Sequence, residues 1–207
     1  MAGNLGSIKE DVLEATASNP DRSADPQFLI FSYGSNSAKQ MHERTGCTCS
    51  PIPAYLPEHV RIFAGYSARW DGAVASVHPH AGGRVYGCAF KLTARQLRAL
   101  DAYEGGYARC EREMTLLRSP DADDRASAST RDGQEYVRTC YVYIKANTTF
   151  SEEEPPSLEY MRAIRRMLSE RAAKAETKVL IRAVVNNEVT VVGHFWDDEV
   201  VMHEGSM

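Results

Sequence analysis

The 207-residue sequence predicts one α+β domain with flanking helices and a mainly antiparallel sheet, either open or closed into a small barrel. Three observations support this fold class. Several short apolar or alternating segments, typical of strands, are separated by turn residues. Three further segments begin with residues typical of helix N-caps. No linker-like stretch divides the chain after residue 26, so we expect a single domain over 27–207 and a flexible arm over 1–26.

The first predicted elements are a buried strand at Phe28–Tyr33 and a helix soon after it. The strand segment is apolar and aromatic and ends at Gly34. Ser37 and Gln40 have the spacing of a capping box, in which the serine caps the helix and the glutamine reaches back. We expect this helix to end near Gly46. The predicted order is therefore strand, tight glycine turn, helix.

The next segment predicts strands that are joined by turns. Strands at 59–68 and 73–78 are separated by the Asp-Gly pair at 71–72. Residues 79–83, which include one proline and two adjacent glycines, mark another turn. We therefore expect 84–91 to be the partner strand of a hairpin at that second turn.

A second capping box predicts the next helix. Thr93 and Gln96 have the required spacing, and we expect the helix to continue to Tyr103, where Gly105 and Gly106 end it. The remaining predicted elements are a strand at 111–118, an exposed loop at 119–135, a strand at 137–144, a helix capped by Ser157, and a hairpin of 179–185 and 189–192 joined by Asn186 and Asn187.

Charge and hydropathy exclude several classes of function. The net charge is -4, and the sequence has no cluster of lysine and arginine of the kind that binds a phosphate backbone. We therefore expect no nucleic-acid partner. No apolar run approaches the ~20 residues that span a bilayer, so we expect no membrane partner. The N-terminus does not have the pattern of a signal peptide, and the 5 cysteines are an odd number. We therefore expect a cytoplasmic protein without a disulfide framework.

The cysteines and histidines do not predict a metal site. Cys47 and Cys49 form C-x-C rather than the C-x-x-C of zinc and redox sites, so we interpret them as ordinary thiols. His78 and His80 would share one face of a strand, but the sequence offers no evident third ligand. We interpret both histidines as surface or packing residues.

The turn at Tyr33–Asn36 is the first candidate for function. Its Gly34 permits a positive φ and a close approach of the backbone to a ligand. The turn leads into a helix N-terminus, where unpaired N–H groups and the helix dipole attract anions. A substrate carboxylate would suit this position. The alternative is a plain turn between a strand and a helix.

Glu104 is the second candidate. It lies at the predicted C-terminal end of the Thr93 helix, just before two glycines. A carboxylate there faces the negative end of the helix dipole, which costs about 0.3–1 kcal/mol and raises its pKa. Burial of the carboxyl group would raise the pKa further, and a raised pKa would make Glu104 a better base. The alternative is an exposed glutamate that tolerates the dipole.

Several short motifs occur together in an order that is informative. They are Y-G-S-N at 33–36, G-A-V-A-S-V-H-P at 72–79, V-Y-G at 85–87, L-D-A-Y-E-G at 100–105 and P-P-S-L-E-Y at 155–160, with tyrosines at 107 and 143. Taken together, these segments resemble the γ-glutamylcyclotransferase family, which also contains the plant AIG2-like proteins. The resemblance runs from about residue 28 to residue 161, which is most of the chain.

This resemblance implies a small mixed β-barrel with flanking helices and no metal or organic cofactor. It implies that Glu104 is the general acid–base. It also implies a loop that holds the γ-glutamyl group of a small-molecule substrate, formed by Ile30, Phe31, Ser32, Tyr33, Gly34, Ser35 and Asn36. We expect Tyr107 and Tyr143 to donate hydroxyl hydrogen bonds or to exclude water, with core packing as the alternative. A homodimer is left open.

The implied reaction is that of a γ-glutamylcyclotransferase. The α-amine of a γ-glutamyl amino acid or dipeptide attacks its own γ-carbonyl and releases 5-oxoproline and an amino acid. One alternative is a γ-glutamylamine cyclotransferase that cleaves γ-glutamyl-ε-lysine. Another is a non-catalytic AIG2-like binding protein. The glutathione-specific relatives carry Y-G-S-L, so Asn36 argues against that subgroup.

Overall fold

The structure is a computed structural model that describes residues 25–118, 135–171 and 178–204. The predicted arm at 1–26 and the predicted loop at 119–135 lie almost entirely outside these residues. The elements are β1 Gln27–Ser32, α1 Ala38–Thr45, β2 Ile52–Ser67, β3 Gly72–Thr93, α2 Ala94–Asp101, β4 Tyr107–Leu116, β5 Tyr136–Lys145, α3 Leu158–Arg171, β6 Val179–Val185, β7 Glu188–Trp196 and β8 Glu199–Met202.

Strands β1 to β5 form a closed barrel in the order β1-β3-β2-β4-β5. Strand β1 pairs antiparallel with β3 and parallel with β5, where Ile30 faces Tyr141 and Phe31 faces Val142. The other barrel pairs are antiparallel. The predicted class, a small mixed barrel that is mainly antiparallel with flanking helices, is therefore confirmed. Ile30 and Phe31 are buried in the barrel core, which explains the apolar character of β1.

The predicted hairpin at 79–83 is wrong. The single β2–β3 hairpin turns at Asp71 (φ 50°), and β3 then continues through both predicted strands while pairing with β2. The register shifts between Pro57 and His59, which marks a bulge rather than a turn. At this bulge Glu58 has φ 54° and its carboxylate accepts a hydrogen bond from the Gly82 N–H at 2.9 Å. A proline and two glycines thus bend one long strand here without reversing it.

Helix α2 has the predicted capping box but is shorter than predicted. Thr93 and Gln96 exchange both hydrogen bonds of the box. The helix ends at Asp101 rather than at Tyr103. The Tyr103 N–H donates to the carbonyl of Leu100 at 2.9 Å, and this bond between residues three positions apart is that of a 3₁₀ turn rather than of an α-helix. Glu104 consequently lies in the loop between α2 and β4.

The other helices and the C-terminal hairpin follow the predictions. Helix α1 is capped by Ser37 and ends at Gly46 with φ 69°. Ser157 caps α3, accepting a hydrogen bond from the Tyr160 N–H at 3.2 Å. The hairpin of β6 and β7 turns at the Asn pair 186–187, with φ 51° and 64°. The unpredicted strand β8 pairs with β7 and completes a separate three-stranded sheet.

Two glycines of the sequence motifs lie where backbones approach closely. A Cβ added to Gly72, which has φ 153°, would lie 2.2 Å from the carbonyl oxygen of Pro155. A Cβ added to Gly87 would lie 2.1 Å from the carbonyl oxygen of Ser32. Gly72 therefore lets the Pro-Pro-Ser segment pack on the start of β3, and Gly87 lets β1 end close against β3.

Cys47 and Cys49 form a disulfide, so their interpretation as ordinary thiols is wrong. Because the bridge joins residues two positions apart, it does not link distant segments of the fold.

Within the described ranges, no helix has the length and apolar character needed to cross a membrane.

Candidate active site

The barrel carries a cavity of about 360 Å³, a size that suits a small molecule. It lies where the loop after β1, the loop after α2 and the end of β5 meet. The structure brings all ten residues singled out from the sequence to its wall: Ile30, Phe31, Ser32, Tyr33, Gly34, Ser35, Asn36, Glu104, Tyr107 and Tyr143. Residues 30–36 are contiguous, whereas the other three come from two further segments of the barrel.

Side-chain and backbone hydrogen bonds fix the loop after β1. The Ser32 hydroxyl donates to the carbonyl of Asn36 at 3.0 Å, and the buried Arg61 donates from Nε to the carbonyl of Tyr33 at 3.0 Å. Gly34 does not have the positive φ considered from the sequence. A small residue is needed there because an added Cβ would lie 3.2 Å from the Tyr160 hydroxyl.

Glu104 is held by two side chains from the other wall of the cavity. Asn36 Nδ2 donates to Glu104 Oε1 at 3.1 Å, and Arg44 Nη1 lies 3.3 Å from the same oxygen. Arg44 also donates to Asn36 Oδ1 at 2.8 Å, which closes a triangle of polar contacts. The side chains of Arg44 and Glu104 are each only 11% exposed. The carboxyl group is therefore fixed, shielded from bulk water and turned toward the cavity.

The pKa of Glu104 is raised above its ordinary value, and burial is the largest cause. The hydrogen bond from Asn36 and the charge of Arg44 oppose this shift, whereas the charge of Asp101 adds to it. The direction of the predicted shift is confirmed, and burial, one of the two causes expected from the sequence, is the largest. Helix α2 ends three residues before Glu104, and desolvation rather than the helix terminus is the main cause.

Several tyrosine side chains line the cavity. Tyr107 donates its hydroxyl to the carbonyl of Ala75 at 2.9 Å, and Tyr160 accepts from the N–H of the same residue at 2.9 Å. Burial raises the pKa of Tyr160 to about 12 and raises those of Tyr33 and Tyr107 as well. These phenols stay neutral near pH 7, so they can donate hydrogen bonds but are poor bases.

Tyr143 connects the cavity to a surface ion pair. Its hydroxyl donates to Asp101 Oδ1 at 2.7 Å, while Arg109 Nη1 bonds to Asp101 Oδ2 at 2.6 Å. The backbone carbonyl of Tyr143 accepts the hydroxyl hydrogen of Tyr33. The hydroxyl protons of Tyr107 and Tyr143 are thus both directed to protein acceptors, which favours a role in shaping the cavity and excluding water.

Several lining residues were missed from the sequence. They are Arg44, Tyr66, Ser67, Arg69, Trp70, Val74, Ala75, Tyr103, Gly105, Lys145 and Tyr160. Tyr160 had a signal, since it ends the P-P-S-L-E-Y motif. Arg69 and Lys145 had none, because a single arginine near a turn and a lysine at a strand end are common on protein surfaces.

Together, the barrel and the cavity define an enzyme-like small-molecule site with one buried carboxyl group beside a backbone loop. The family model described as "Gamma-glutamyl cyclotransferase, AIG2-like" matches residues 30–162, which include every predicted site residue. The chain belongs to this family, and it is an enzyme with cyclotransferase function.

Individual γ-glutamylcyclotransferases are also similar to this chain in sequence and in structure. The chain is 26% identical to mouse γ-glutamylcyclotransferase over 166 residues, covering 78% of this chain and 80% of that protein. It is 25% identical to the human γ-glutamylcyclotransferase over 171 residues, covering 80% and 83%. A solved γ-glutamyl cyclotransferase structure superposes with a TM-score of 0.56 at 25% identity, covering 73% of this chain and 83% of that one.

Proposed function

We propose that this enzyme converts γ-glutamyl amino acids or dipeptides into 5-oxoproline and a free amino acid or peptide, with Glu104 as the acid–base. One observation carries the proposal. Of the described residues that line the cavity, Glu104 alone has a carboxyl group, and it lies directly beside the loop at 33–36. The family match supplies the class of reaction, and this geometry supplies the group that would move the protons.

The chemistry requires orientation and two proton transfers. The nitrogen of the substrate α-amine forms a bond to its own γ-carbonyl carbon, which closes a five-membered ring, and the bond to the leaving amine breaks. Because the nucleophile and the electrophile are tethered, holding the reactive conformation supplies much of the rate enhancement. The attacking ammonium loses a proton and the leaving amine gains one, so a single carboxylate can serve both steps.

Glu104 is suited to this exchange. Both of its protein contacts use Oε1, and in the described part of the chain Oε2 accepts no hydrogen bond, which leaves that oxygen for the substrate amine. An α-amino group titrates near ~7.8 and an ordinary glutamate near ~4.3, so the first transfer would be uphill by roughly 5 kcal/mol. The raised pKa of Glu104 reduces this difference and makes the carboxylate a stronger base.

The loop after β1 is suited to an anionic group of the substrate. Within the described ranges, the backbone N–H groups of Gly34, Ser35 and Asn36 donate to no protein acceptor. Unpaired N–H groups at such a turn bind a carboxylate or a developing oxyanion. We propose that they hold the α-carboxylate of the glutamyl group, which would bring the neighbouring α-amine toward Glu104.

The proposal is tested by incubating the purified protein with γ-glutamyl-alanine, γ-glutamyl-ε-lysine and glutathione and measuring 5-oxoproline. We expect product from γ-glutamyl-alanine. Product from γ-glutamyl-ε-lysine alone would instead indicate a γ-glutamylamine cyclotransferase. No product from any of the three would favour a non-catalytic AIG2-like binding protein. A cytoplasmic location and a homodimer stay predictions from the sequence.

A further inference from the structure

The charged side chains that line the cavity are unbalanced. Arg44, Arg69 and Lys145 contribute three positive charges, whereas Glu104 contributes the only negative one among the described lining residues. Arg44 pairs with Glu104 at 3.3 Å. Arg69 and Lys145 are therefore left over once the charge of Glu104 has been balanced by Arg44. A partly buried cation without a counter-charge is unfavourable unless a ligand supplies the compensating anion.

Lys145 is the more buried of these two cations. It follows the cavity wall at the end of β5, with its Nζ 4.9 Å from the centre of the Tyr107 ring. A Cβ added to Gly106 would lie 3.8 Å from this Nζ, which puts the ammonium next to the loop that carries Glu104. No described carboxylate lies within ion-pair distance of Lys145. Burial lowers the pKa of its amine, as expected for a cation that lacks a protein counter-charge.

Arg69 lies at the exposed rim, on the turn between β2 and β3. Its guanidinium stacks on Trp70 at 5.4 Å. With the Gln40 amide nitrogen directed to the carbonyl of Ser35 (2.7 Å), the Gln40 oxygen accepts from Arg69 at 2.9 Å and from Arg44 at 3.2 Å. The described residues give Arg69 neutral contacts but no carboxylate, so its charge is available to a ligand.

We propose that Lys145 and Arg69 form a subsite for the carboxylate of the leaving group, so that the enzyme selects γ-glutamyl compounds whose released part carries a free carboxylate. The inference rests on the proposed function. With the glutamyl α-carboxylate at the loop after β1 and the α-amine at Glu104, the leaving group is the part of the substrate left to meet these cations.

The net charges of the candidate substrates agree with this assignment. At neutral pH, γ-glutamyl-alanine carries two carboxylates and one ammonium, whereas γ-glutamyl-ε-lysine carries two of each and a simple γ-glutamylamine one of each. A cavity with an excess of cations favours the substrate with net negative charge. The subsite would therefore distinguish γ-glutamyl amino acids from simple γ-glutamylamines, whose released part has no carboxylate, whereas γ-glutamyl-ε-lysine would be disfavoured by the second ammonium on its released lysine.

The first test compares γ-glutamyl-alanine with γ-glutamyl-alaninamide, which differ only in the leaving-group carboxylate. For the unmodified enzyme we expect kcat/KM, measured by 5-oxoproline release, to be at least ~10-fold higher for the acid, the scale of one charge-assisted hydrogen bond. Turnover of both compounds with equal kcat/KM would overturn the subsite and leave the proposed function intact. No 5-oxoproline from either compound would overturn both.

The second test assigns the preference to its residues. Lys145→Met should lower kcat/KM for γ-glutamyl-alanine by about 10-fold and change that for the alaninamide by less than about 3-fold, whereas Lys145→Arg should keep the preference. Arg69→Met should have the same selectivity effect in smaller measure, because Arg69 is exposed. Lys39→Met, at an 86% exposed position on α1, is the control and should change neither value. Equal losses on both substrates in Lys145→Met and Arg69→Met would overturn the assignment.

Discussion

Asn36 donates its side-chain amide to Glu104 Oε1 at 3.1 Å, although the two residues are 68 positions apart. This bond joins the two segments that the sequence marks as unusual, the Y-G-S-N turn and the L-D-A-Y-E-G loop. It fixes one oxygen of the carboxyl group and leaves the other open to the cavity. The bond also opposes the effect of burial, because it lowers the pKa of Glu104 and so favours the ionised carboxylate.

Replacing Glu104 by glutamine should abolish most activity while keeping the fold. Glutamine has nearly the same volume, and its carbonyl oxygen can still accept from Asn36 and Arg44. Loss of an acid–base group usually costs ~100-fold or more, so we expect at least that drop in kcat/KM for γ-glutamyl-alanine. Glu43→Gln, at an exposed position on α1, is the control and should retain full activity. Normal turnover by Glu104→Gln would contradict the assigned role.

The pH dependence of kcat/KM should report the raised pKa of Glu104. A base must be deprotonated to act, so activity should fall as the pH drops through that pKa, at a higher pH than for an ordinary glutamate. Arg44 stabilises the carboxylate and lowers its pKa. Arg44→Met should therefore move the acid limb to higher pH.

Arg98, an exposed arginine on α2, provides the control for this shift. Arg98→Met should leave the acid limb where it is in the unmodified enzyme. A shift to lower pH in Arg44→Met, or the same shift in both variants, would contradict the electrostatic coupling between Arg44 and Glu104.

Gly34→Val should impair ligand binding. The added side chain would press on the Tyr160 hydroxyl, 3.2 Å from the new Cβ, and on Ala75, 3.8 Å away, and it would hinder approach to the loop backbone. We expect at least ~10-fold weaker binding of 5-oxoproline by titration calorimetry, on the scale of one lost charge-assisted hydrogen bond. The smaller change Gly34→Ala should give a weaker effect in the same direction. Unchanged affinity in both variants would argue against the anion-binding loop.

Gly87→Ala should destabilise the barrel. The added Cβ would lie 2.1 Å from the carbonyl oxygen of Ser32, so β1 and β3 would have to separate. Overpacking of this kind costs typically about 1–3 kcal/mol in the free energy of unfolding. Gly105→Ala is the matched control for stability, since open space surrounds that position. Equal denaturation midpoints for the two variants would contradict the close approach.

The sequence predicted local structure best where one residue type satisfies one local requirement. The serine and threonine N-caps, the glycine at the end of α1 and the paired asparagines of the C-terminal hairpin all occur as predicted. Prediction failed at 79–83, because proline and glycine favour a bulge as well as a turn. Pairing with β2 decides between these, and pairing depends on residues far away in sequence.

The residues of the candidate site were also predicted only in part from the sequence. The order of the short motifs was enough to single out Glu104, the residues at 30–36 and the two tyrosines, and all of them line one cavity. The cationic residues Arg69 and Lys145 could not be found from the sequence, because their local surroundings are those of ordinary surface residues. Closure of the barrel brings the end of β5 and the β2–β3 turn to the same cavity.

The sequence by itself thus determined the capped helices, the glycine turns and the chemical groups that the site contains, since these depend on neighbours a few positions away. Only the tertiary structure decided which oxygen of Glu104 is open, why its pKa is raised and which cavity cations have no carboxylate partner among the described residues. The physical reason is that desolvation and charge pairing depend on distances in space, which the closed barrel sets between residues far apart in the chain.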